Sequence, residues 1–329
     1  MSNKIPNLTL SNGTKIPALG FGTFEDVPEG MYNAVLCALD TGYRHLDCAW
    51  YYKNETEVGA ALRTWLTQNP SVPRSEIFIT TKIWPHLMTP EDLRWSLDSS
   101  LQKLGVEYVD ALLLHWPVAA ERDENYEVAK DPVNNGYILK PDQPAALLAA
   151  WETMISLLTT TTKVKAIGVS NFSTTHLKPL LHTSHPPMIN QIEIHPYFPN
   201  THLISFCAQH KIQAVAYSPL GSQGQTVRQG QTVATVLTDP TLQALAAEKG
   251  CSIAQLCIAW GIQRGYAVLP KSANEGRLRA NFEVVSLSEG EMERINGIAG
   301  GIGRKDGKGV RMVNPIEMFG FDLWEGEDE

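Results

Sequence analysis

Cysteine is scarce in this chain and follows no pattern. Cys37, Cys48, Cys207, Cys251 and Cys257 form an odd set with no CxxC pair or other metal-ligand spacing. That excludes a disulfide scaffold and a structural zinc site, and it fits free thiols in a reducing compartment. Long apolar runs are also missing. The first ten residues, MSNKIPNLTL, have no signal-peptide core, and no uninterrupted apolar stretch approaches membrane-spanning length. A soluble cytoplasmic protein without a membrane partner is the expectation. Positive charge is not concentrated anywhere: 27 Lys and Arg stand against 35 Asp and Glu, a net charge of −8 with no basic run. No nucleic-acid partner is expected, because nothing here would neutralise a phosphate backbone. Finally, no GxGxxG follows a strand-like run. GFGTFE, from Gly20, puts Glu25 where the third glycine belongs, so a Rossmann dinucleotide fold is not indicated.

What the chain does have is core-forming material. Of its 329 residues 43% are hydrophobic, enough for a sizeable core. LTLSNGTKIP sets two short β-type runs around Asn12-Gly13, a hairpin signal. Beyond it, short apolar runs alternate with helical patterns, the mark of βαβ units feeding a parallel sheet. Eight such runs are expected: Leu19–Thr23, Arg44–Cys48, Ile77–Lys82, Ala111–His115, Ala166–Ser170, Ile189–Glu193, Ala214–Ser218 and Ala267–Pro270. TPEDLRWSLDSSLQKLG reads as a helix with Thr89 as N-cap, Pro90 at its first position and Gly105 as its stop. Asp239 and Gly250 punctuate the later segment DPTLQALAAEKG in the same way. Eight strands with helices between them imply an α/β fold of the (β/α)₈ TIM barrel type, with a doubly wound sheet as the alternative order. Long loops interrupt the rhythm after the fourth and seventh strands. Residues 301–329, with Phe319, Phe321 and Trp324 among glycines and acids, read as a C-terminal tail over the barrel mouth, making residues 1–329 one domain.

The stretch GYRHLDCAWYY carries charge into what should be core. Asp47 is one of a series, because nearly every expected strand ends in a residue that a core would not choose. The others are Thr23, Lys82, His115, Ser170 with Asn171, Gln191 with Glu193, Ser218, and Lys271 just past Pro270. A barrel gathers those C-terminal ends on one rim, so residues far apart in sequence become neighbours. Free tyrosine ionises near pH 10. A nearby ammonium lowers that value and a carboxylate holds the ammonium in place, so Tyr52, Lys82 and Asp47 form a candidate proton donor. His115 is a candidate for binding and orienting a carbonyl oxygen. Lys271, Ser272 and Arg277, at a strand end and the start of a helix, offer a site for an adenosine 2′-phosphate. Tyr217 offers a face on which a nicotinamide can stack.

On these residues the sequence resembles the aldo-keto reductase family, from the hairpin to the tail. GYRHLDCAWYYKNETEVG is similar to the family's signature around its catalytic Asp and Tyr. LLLHWP is similar to its histidine strand, IGVSNF and NQIEIHPY to its carboxamide-binding strands, and LPKSANEGRLRAN to its adenosine-phosphate motif. The resemblance implies a (β/α)₈ reductase with the tetrad Asp47, Tyr52, Lys82 and His115, in which Tyr52 is the acid. It implies NADP(H) as cofactor: Ser170, Asn171 and Gln191 on the carboxamide, Tyr217 under the ring, and Ser218, Leu220 and Ser222 along the pyrophosphate. Lys271, Ser272, Arg277 and Asn281 fall at the adenosine end, and Thr23 is counted with the cofactor contacts. Ala280 departs from the pattern, standing where many members carry Glu or Gln against the adenine. Phe24, Tyr51, Trp84 and Trp116 occupy the aromatic pocket positions and favour a small carbonyl substrate. GYRHLDCAWYYKNE and AYSPLGSQGQ look most similar to fungal members of the glycerol dehydrogenase and glyceraldehyde reductase type, with the xylose, aldose or uronate reductases next. A monomer without a metal is implied as well. Two readings from other classes compete: a nicotinamide-binding regulatory subunit without turnover, and a Schiff-base aldolase using Lys82 or Lys271.

Overall fold

The structure is a computed structural model that describes residues 5–24, 30–221, 227–228, 231–232, 235–301 and 310–324. It begins with the expected hairpin. Strands β1 (Asn7–Thr9) and β2 (Lys15–Pro17) pair antiparallel with Leu8 opposite Ile16. Gly13 turns the chain at φ +89° while the Asn12 carboxamide accepts from the amide of Thr14 at 3.0 Å. Asn12 Nδ2 also donates to the carbonyl of Lys165 at 2.9 Å, which ties the hairpin to the barrel just before a strand begins.

The next seven parallel strands follow chain order around the sheet: β3 (Phe21–Gly22), β4 (His45–Asp47), β5 (Phe78–Ile83), β6 (Ala111–Leu114), β7 (Ile167–Ser170), β8 (Ile189–Glu193) and β9 (Gln213–Tyr217). A separate two-stranded piece, β10 (Val227–Arg228) and β11 (Gln231–Thr232), lies in the loop after β9, and β12 (Ala267–Leu269) is the eighth barrel strand. The circle closes where the Val268 amide donates to the Ala18 carbonyl at 2.8 Å and the Gly20 amide to the Val268 carbonyl at 2.9 Å. All eight expected strands are present, and a doubly wound sheet is excluded by this closure. The register sets the future site. Asp47 is level with Thr80, so Lys82 stands on the same inward face one pleat nearer the rim.

Helices α1 (Met31–Thr41), α2 (Glu55–Gln68), α3 (Pro90–Leu104), α4 (Gln143–Thr160), α5 (Thr174–Leu180) and α6 (Thr201–Gln209) occupy the crossovers in turn. Two helices, α7 (Pro240–Lys249) and α8 (Ile253–Gln263), follow β9, and α9 (Glu275–Phe282), α10 (Glu289–Asn296), α11 (Ile298–Gly301) and α12 (Ile316–Phe319) follow β12. The caps are those the sequence signals. Thr89 accepts from the Asp92 amide at 3.2 Å, Asp239 from the Leu242 amide at 3.0 Å, and Gly105 and Gly250 take φ +68° as stops. On α3, Leu93, Leu97, Leu101 and Leu104 form one buried face. Burying each such leucine contributes ~1.5–3 kcal/mol. Among the described residues no helix is long and apolar enough to cross a membrane.

The loop after β6 folds back on itself through antiparallel bridges that pair Ala120 with Leu139, Arg122 with Val128 and Lys130 with Tyr137. The tail crosses the rim that holds the strands' C-terminal ends. Its Val310 amide donates to the Tyr197 carbonyl at 2.6 Å, and its Met318 carbonyl accepts from the Tyr137 amide at 2.9 Å.

Close backbone approach fixes how α2 sits on α3. A Cβ on Gly59 would meet the Lys103 and Leu104 carbonyl oxygens at 2.4 and 2.5 Å. Gly→Ala inside a helix ordinarily stabilises. Here backbone atoms cannot yield as a side chain would, so the sign reverses. Gly59→Ala should lower the thermal unfolding midpoint by about 5 °C. A raised midpoint in a calorimetric scan would contradict this packing.

Candidate active site

Four strand ends and one short turn of helix build the centre of the rim. Asp47 ends β4, and after Cys48 and Ala49 the chain makes a single 3₁₀ turn, Trp50–Tyr52, stopped by Lys53 at φ +54°. That turn brings Tyr52 back over the strand it has just left. Lys82, on β5, is wholly buried and places its ammonium among three oxygens: Asp47 Oδ2 at 2.8 Å, the Cys48 carbonyl at 2.9 Å and Tyr52 Oη at 3.2 Å. The second oxygen of Asp47 accepts from Gln191 Nε2 at 2.7 Å. Asp47 is therefore clamped from β5 and β8 at once.

Electrostatics partly correct the expectation for the phenol. Burial raises Tyr52 to about 12, and the Lys82 ammonium, although it pulls the value down, does not overcome burial. Tyr52 is thus a firmly protonated donor in the ligand-free chain, not an acid already loosened below 10. For Lys82, burial pushes the ammonium down, but Asp47 and Tyr52 outweigh it and the net shift is upward. A buried, permanently charged amine is no nucleophile, so the Schiff-base alternative fails at Lys82. Burial and the neighbouring Lys82 charge hold His115 well below its usual range, so its ring is neutral at physiological pH. Its Nδ1 is buried without a partner among the described residues.

Around His115 the aromatics close a chamber. Its ring meets Tyr52 edge-on at 6.0 Å and Trp84 edge-on at 4.9 Å, and lies parallel to Trp116 at 6.2 Å. Tyr51 stacks on Trp84 at 3.8 Å, and the half-exposed Phe24 packs its edge against Tyr52 at 5.2 Å. Trp116 Nε1 is buried with no partner among the described residues. All four expected pocket aromatics therefore stand around the tetrad. Two more belong with them. Phe319 from α12 meets Trp116 at 5.7 Å and Tyr137 at 5.8 Å, and Tyr137 accepts the Trp84 indole N–H at 3.2 Å. Phe319 stood out in the sequence only as a tail aromatic, and nothing in the loop marked Tyr137.

Along the β7–β9 arc lies a row of amides and rings. Asn171 donates to the His115 carbonyl at 2.9 Å and accepts from Tyr217 Oη at 2.7 Å, and the Ser170 hydroxyl donates to the Gln191 carbonyl at 2.8 Å. Asn171 at φ +65° and Ser218 at φ +47° hold left-handed conformations at the ends of β7 and β9. Such strain in non-glycine residues persists where the surroundings enforce it. The Gln191 carboxamide oxygen takes no part in the bond to Asp47, and Asn171 keeps a second lone pair, so this row can accept from a primary amide. Ser218 and Leu220 are half-buried beside it, while Ser222 lies outside the described residues. Farther round, Lys271 and Arg277 are exposed at the start of α9. The Ser272 hydroxyl accepts from the Asn274 amide at 3.1 Å, Asn274 caps the helix, and Asn281 is buried on its inner side. These groups fit an anionic nucleotide end. Thr23, counted with the cofactor contacts in the sequence, also has a structural part. It is wholly buried and its hydroxyl donates to the Asp47 carbonyl at 2.9 Å, so it buttresses the acid.

Glu193 has a different task. It is wholly buried at the end of β8 and accepts from the tail amides of Met312 at 2.7 Å and Val313 at 3.0 Å, with His195 Nε2 2.9 Å away. Burial pushes this carboxyl up, but the bond and charge of His195, the charge of Arg311 and the Val313 amide outweigh it and leave it below the usual range. Arg311, itself buried, lies over Trp324 at 3.7 Å and Phe198 at 4.4 Å. The tail is therefore held to the rim by an ionised carboxylate. Glu193→Gln turns an amide group toward one of those N–H donors, and an unpaired buried donor costs ~1–3 kcal/mol. Trypsin should then cut after Arg311 roughly tenfold faster while the barrel's circular dichroism is unchanged. Unaltered cleavage would show that the clamp does not hold the tail.

Known proteins bear on this arrangement. Residues 18–299 match the model of the aldo/keto reductase family. A glycerol 2-dehydrogenase (NADP(+)) of Hypocrea jecorina is 44% identical over 323 residues, covering 97% of this chain and 98% of its own. The aldehyde reductase YPR1 of Saccharomyces cerevisiae is 39% identical over 305 residues, 91% of this chain and 92% of its own. Among solved structures, the aldose reductase of Schistosoma japonicum superposes with a TM-score of 0.85 at 32% identity, over 99% of this chain and 100% of that one. The aldose reductase of Giardia lamblia gives 0.83 at 34% identity, over 93% and 98%. A family match across most of the chain, together with this barrel rim, makes the protein a member of the aldo-keto reductase family.

Proposed function

We propose that this chain is an NADP(H)-dependent carbonyl reductase of small aldehydes, with hydroxy-aldehydes of the glyceraldehyde type as its substrates and glycerol-type alcohols as its products. The observation that carries the reading is the contact between the buried Lys82 ammonium, Asp47 and Tyr52 Oη at the mouth of an aromatic chamber. Two relatives, of Hypocrea jecorina and Saccharomyces cerevisiae, are named glycerol 2-dehydrogenase (NADP(+)), which supports the substrate class and the cofactor. One barrel domain, acting as a monomer, is sufficient for the reaction.

In this mechanism NADPH supplies a hydride to the carbonyl carbon when bound. Tyr52 gives its proton to the carbonyl oxygen as negative charge builds there, and the resulting phenolate lies 3.2 Å from the Lys82 ammonium. That ammonium is worth most at this moment, because it offsets a charge that burial alone would forbid. Asp47 keeps Lys82 in place. The neutral His115 ring orients the oxygen with an N–H and adds no charge. Solvent returns the proton to Tyr52. The row formed by Ser170, Asn171 and Gln191 is assigned to the nicotinamide carboxamide and Tyr217 to its ring. Ser218, Leu220 and Ser222 are assigned to the pyrophosphate, and Lys271, Ser272, Arg277 and Asn281 to the adenosine phosphate.

Tyr52→Phe keeps the ring and removes the proton. It should lower kcat for DL-glyceraldehyde by at least about 10³-fold, with NADPH affinity by fluorescence quenching within about twofold of the parent. Substantial turnover in that variant would end the reading. Removing Lys271 and Arg277 together, as Lys271→Ala with Arg277→Ala, should weaken NADPH binding by about 100-fold and leave NADH binding almost unchanged. Equal losses for both nucleotides would place the phosphate elsewhere.

A further inference from the structure

The proposed reaction leaves the Tyr137 hydroxyl unused. Tyr137 comes from the loop after β6 and is fixed by three other elements. Its Oη accepts the Trp84 indole N–H at 3.2 Å, its ring meets Phe319 at 5.8 Å, and its amide donates to the Met318 carbonyl at 2.9 Å. No described residue accepts the phenolic proton. Burial pushes this phenol up to about 12, so the proton stays on the oxygen. The bond received from the indole polarises the O–H and makes it a better donor.

Its position relative to the tetrad matters. The Trp84 ring meets His115 at 4.9 Å and its indole nitrogen meets Tyr137, so the carbonyl-binding histidine and the free hydroxyl border one and the same ring. A short aldehyde lying along that indole with its carbonyl toward His115 presents its far carbons to Tyr137. In the same chamber, Trp116 Nε1 is buried with no partner among the described residues. Donors without acceptors on the aromatic side of the chamber match a ligand that brings oxygen. An alkyl chain would leave both N–H and O–H unsatisfied when it displaced water.

We infer that the Tyr137 hydroxyl is a specificity-determining contact, donating a hydrogen bond to a substrate hydroxyl beyond the carbonyl, so that polyhydroxylated short-chain aldehydes are selected over alkyl aldehydes. The inference rests on the reductase reading above and adds the residue that chooses the substrate class.

Tyr137→Phe keeps the ring and its contact with Phe319, and deletes only the hydroxyl. Assayed with NADPH, this variant should raise KM for DL-glyceraldehyde roughly tenfold with kcat within about twofold, and leave propanal, of the same carbon number, within about twofold in both constants. Equal losses on the two aldehydes would make Tyr137 a mere wall, and no loss on either would remove it from recognition. Both results overturn the inference. A parent protein that reduces neither aldehyde would instead overturn the reductase reading. In that event calorimetry of glycerol binding to the chain loaded with NADP⁺ still decides the contact. The affinity should fall roughly tenfold in Tyr137→Phe, and equal affinities would refute it.

Discussion

A single buried ammonium organises the rim of this barrel. Lys82 has no exposed surface, and its charge is tolerable only because Asp47, the Cys48 carbonyl and Tyr52 Oη surround it at 2.8, 2.9 and 3.2 Å. Removing one partner of a buried pair leaves an uncompensated charge and costs ~3–5 kcal/mol. The same constraint is chemically useful. In the proposed reaction the phenol that helps satisfy the ammonium in the ground state is the group that needs it most once the proton has left.

Placement of that web depends on barrel closure. Asp47 is held by Lys82 from β5 and by Gln191 from β8, strands separated by three crossovers. Thr23, just past β3, fastens the Asp47 backbone as well. In an open sheet β8 would lie far from β4, and the Gln191 bond could not form. The fold therefore supplies positions, and the strand-end residues supply the chemistry.

Selectivity is built from later material than catalysis. The loop after β6 and the tail are irregular segments, and they are fixed by contacts with each other and with the rim. Glu193 anchors the Met312 and Val313 amides, Tyr137 joins the loop to the tail at Met318, and Phe319 is wedged between Trp116 and Tyr137. The chamber thus has one wall of barrel-strand residues and one wall of adjustable origin. Substitutions in the second wall can reshape the chamber without touching the contact between Lys82, Asp47 and Tyr52.

Much of this was legible in the order of residues. Alternating strand and helix patterns, the caps at Thr89 and Asp239 and the polar residue closing each strand are local signals, and local signals survive in sequence. Those features pointed to the barrel and to polar residues such as Asp47, Lys82 and His115 at its rim, while the four pocket aromatics were implied by the family resemblance. Spacing along the chain carried no information about the balance of burial against charge, so the phenol's upward shift emerged only once desolvation was present. Nor did it reveal that Thr23 turns its hydroxyl into Asp47, that Glu193 holds the tail or that Tyr137 meets Trp84 and Phe319. Each of these is a contact between segments far apart in the chain, and only the folded packing, which decides what water can still reach, brings such partners together.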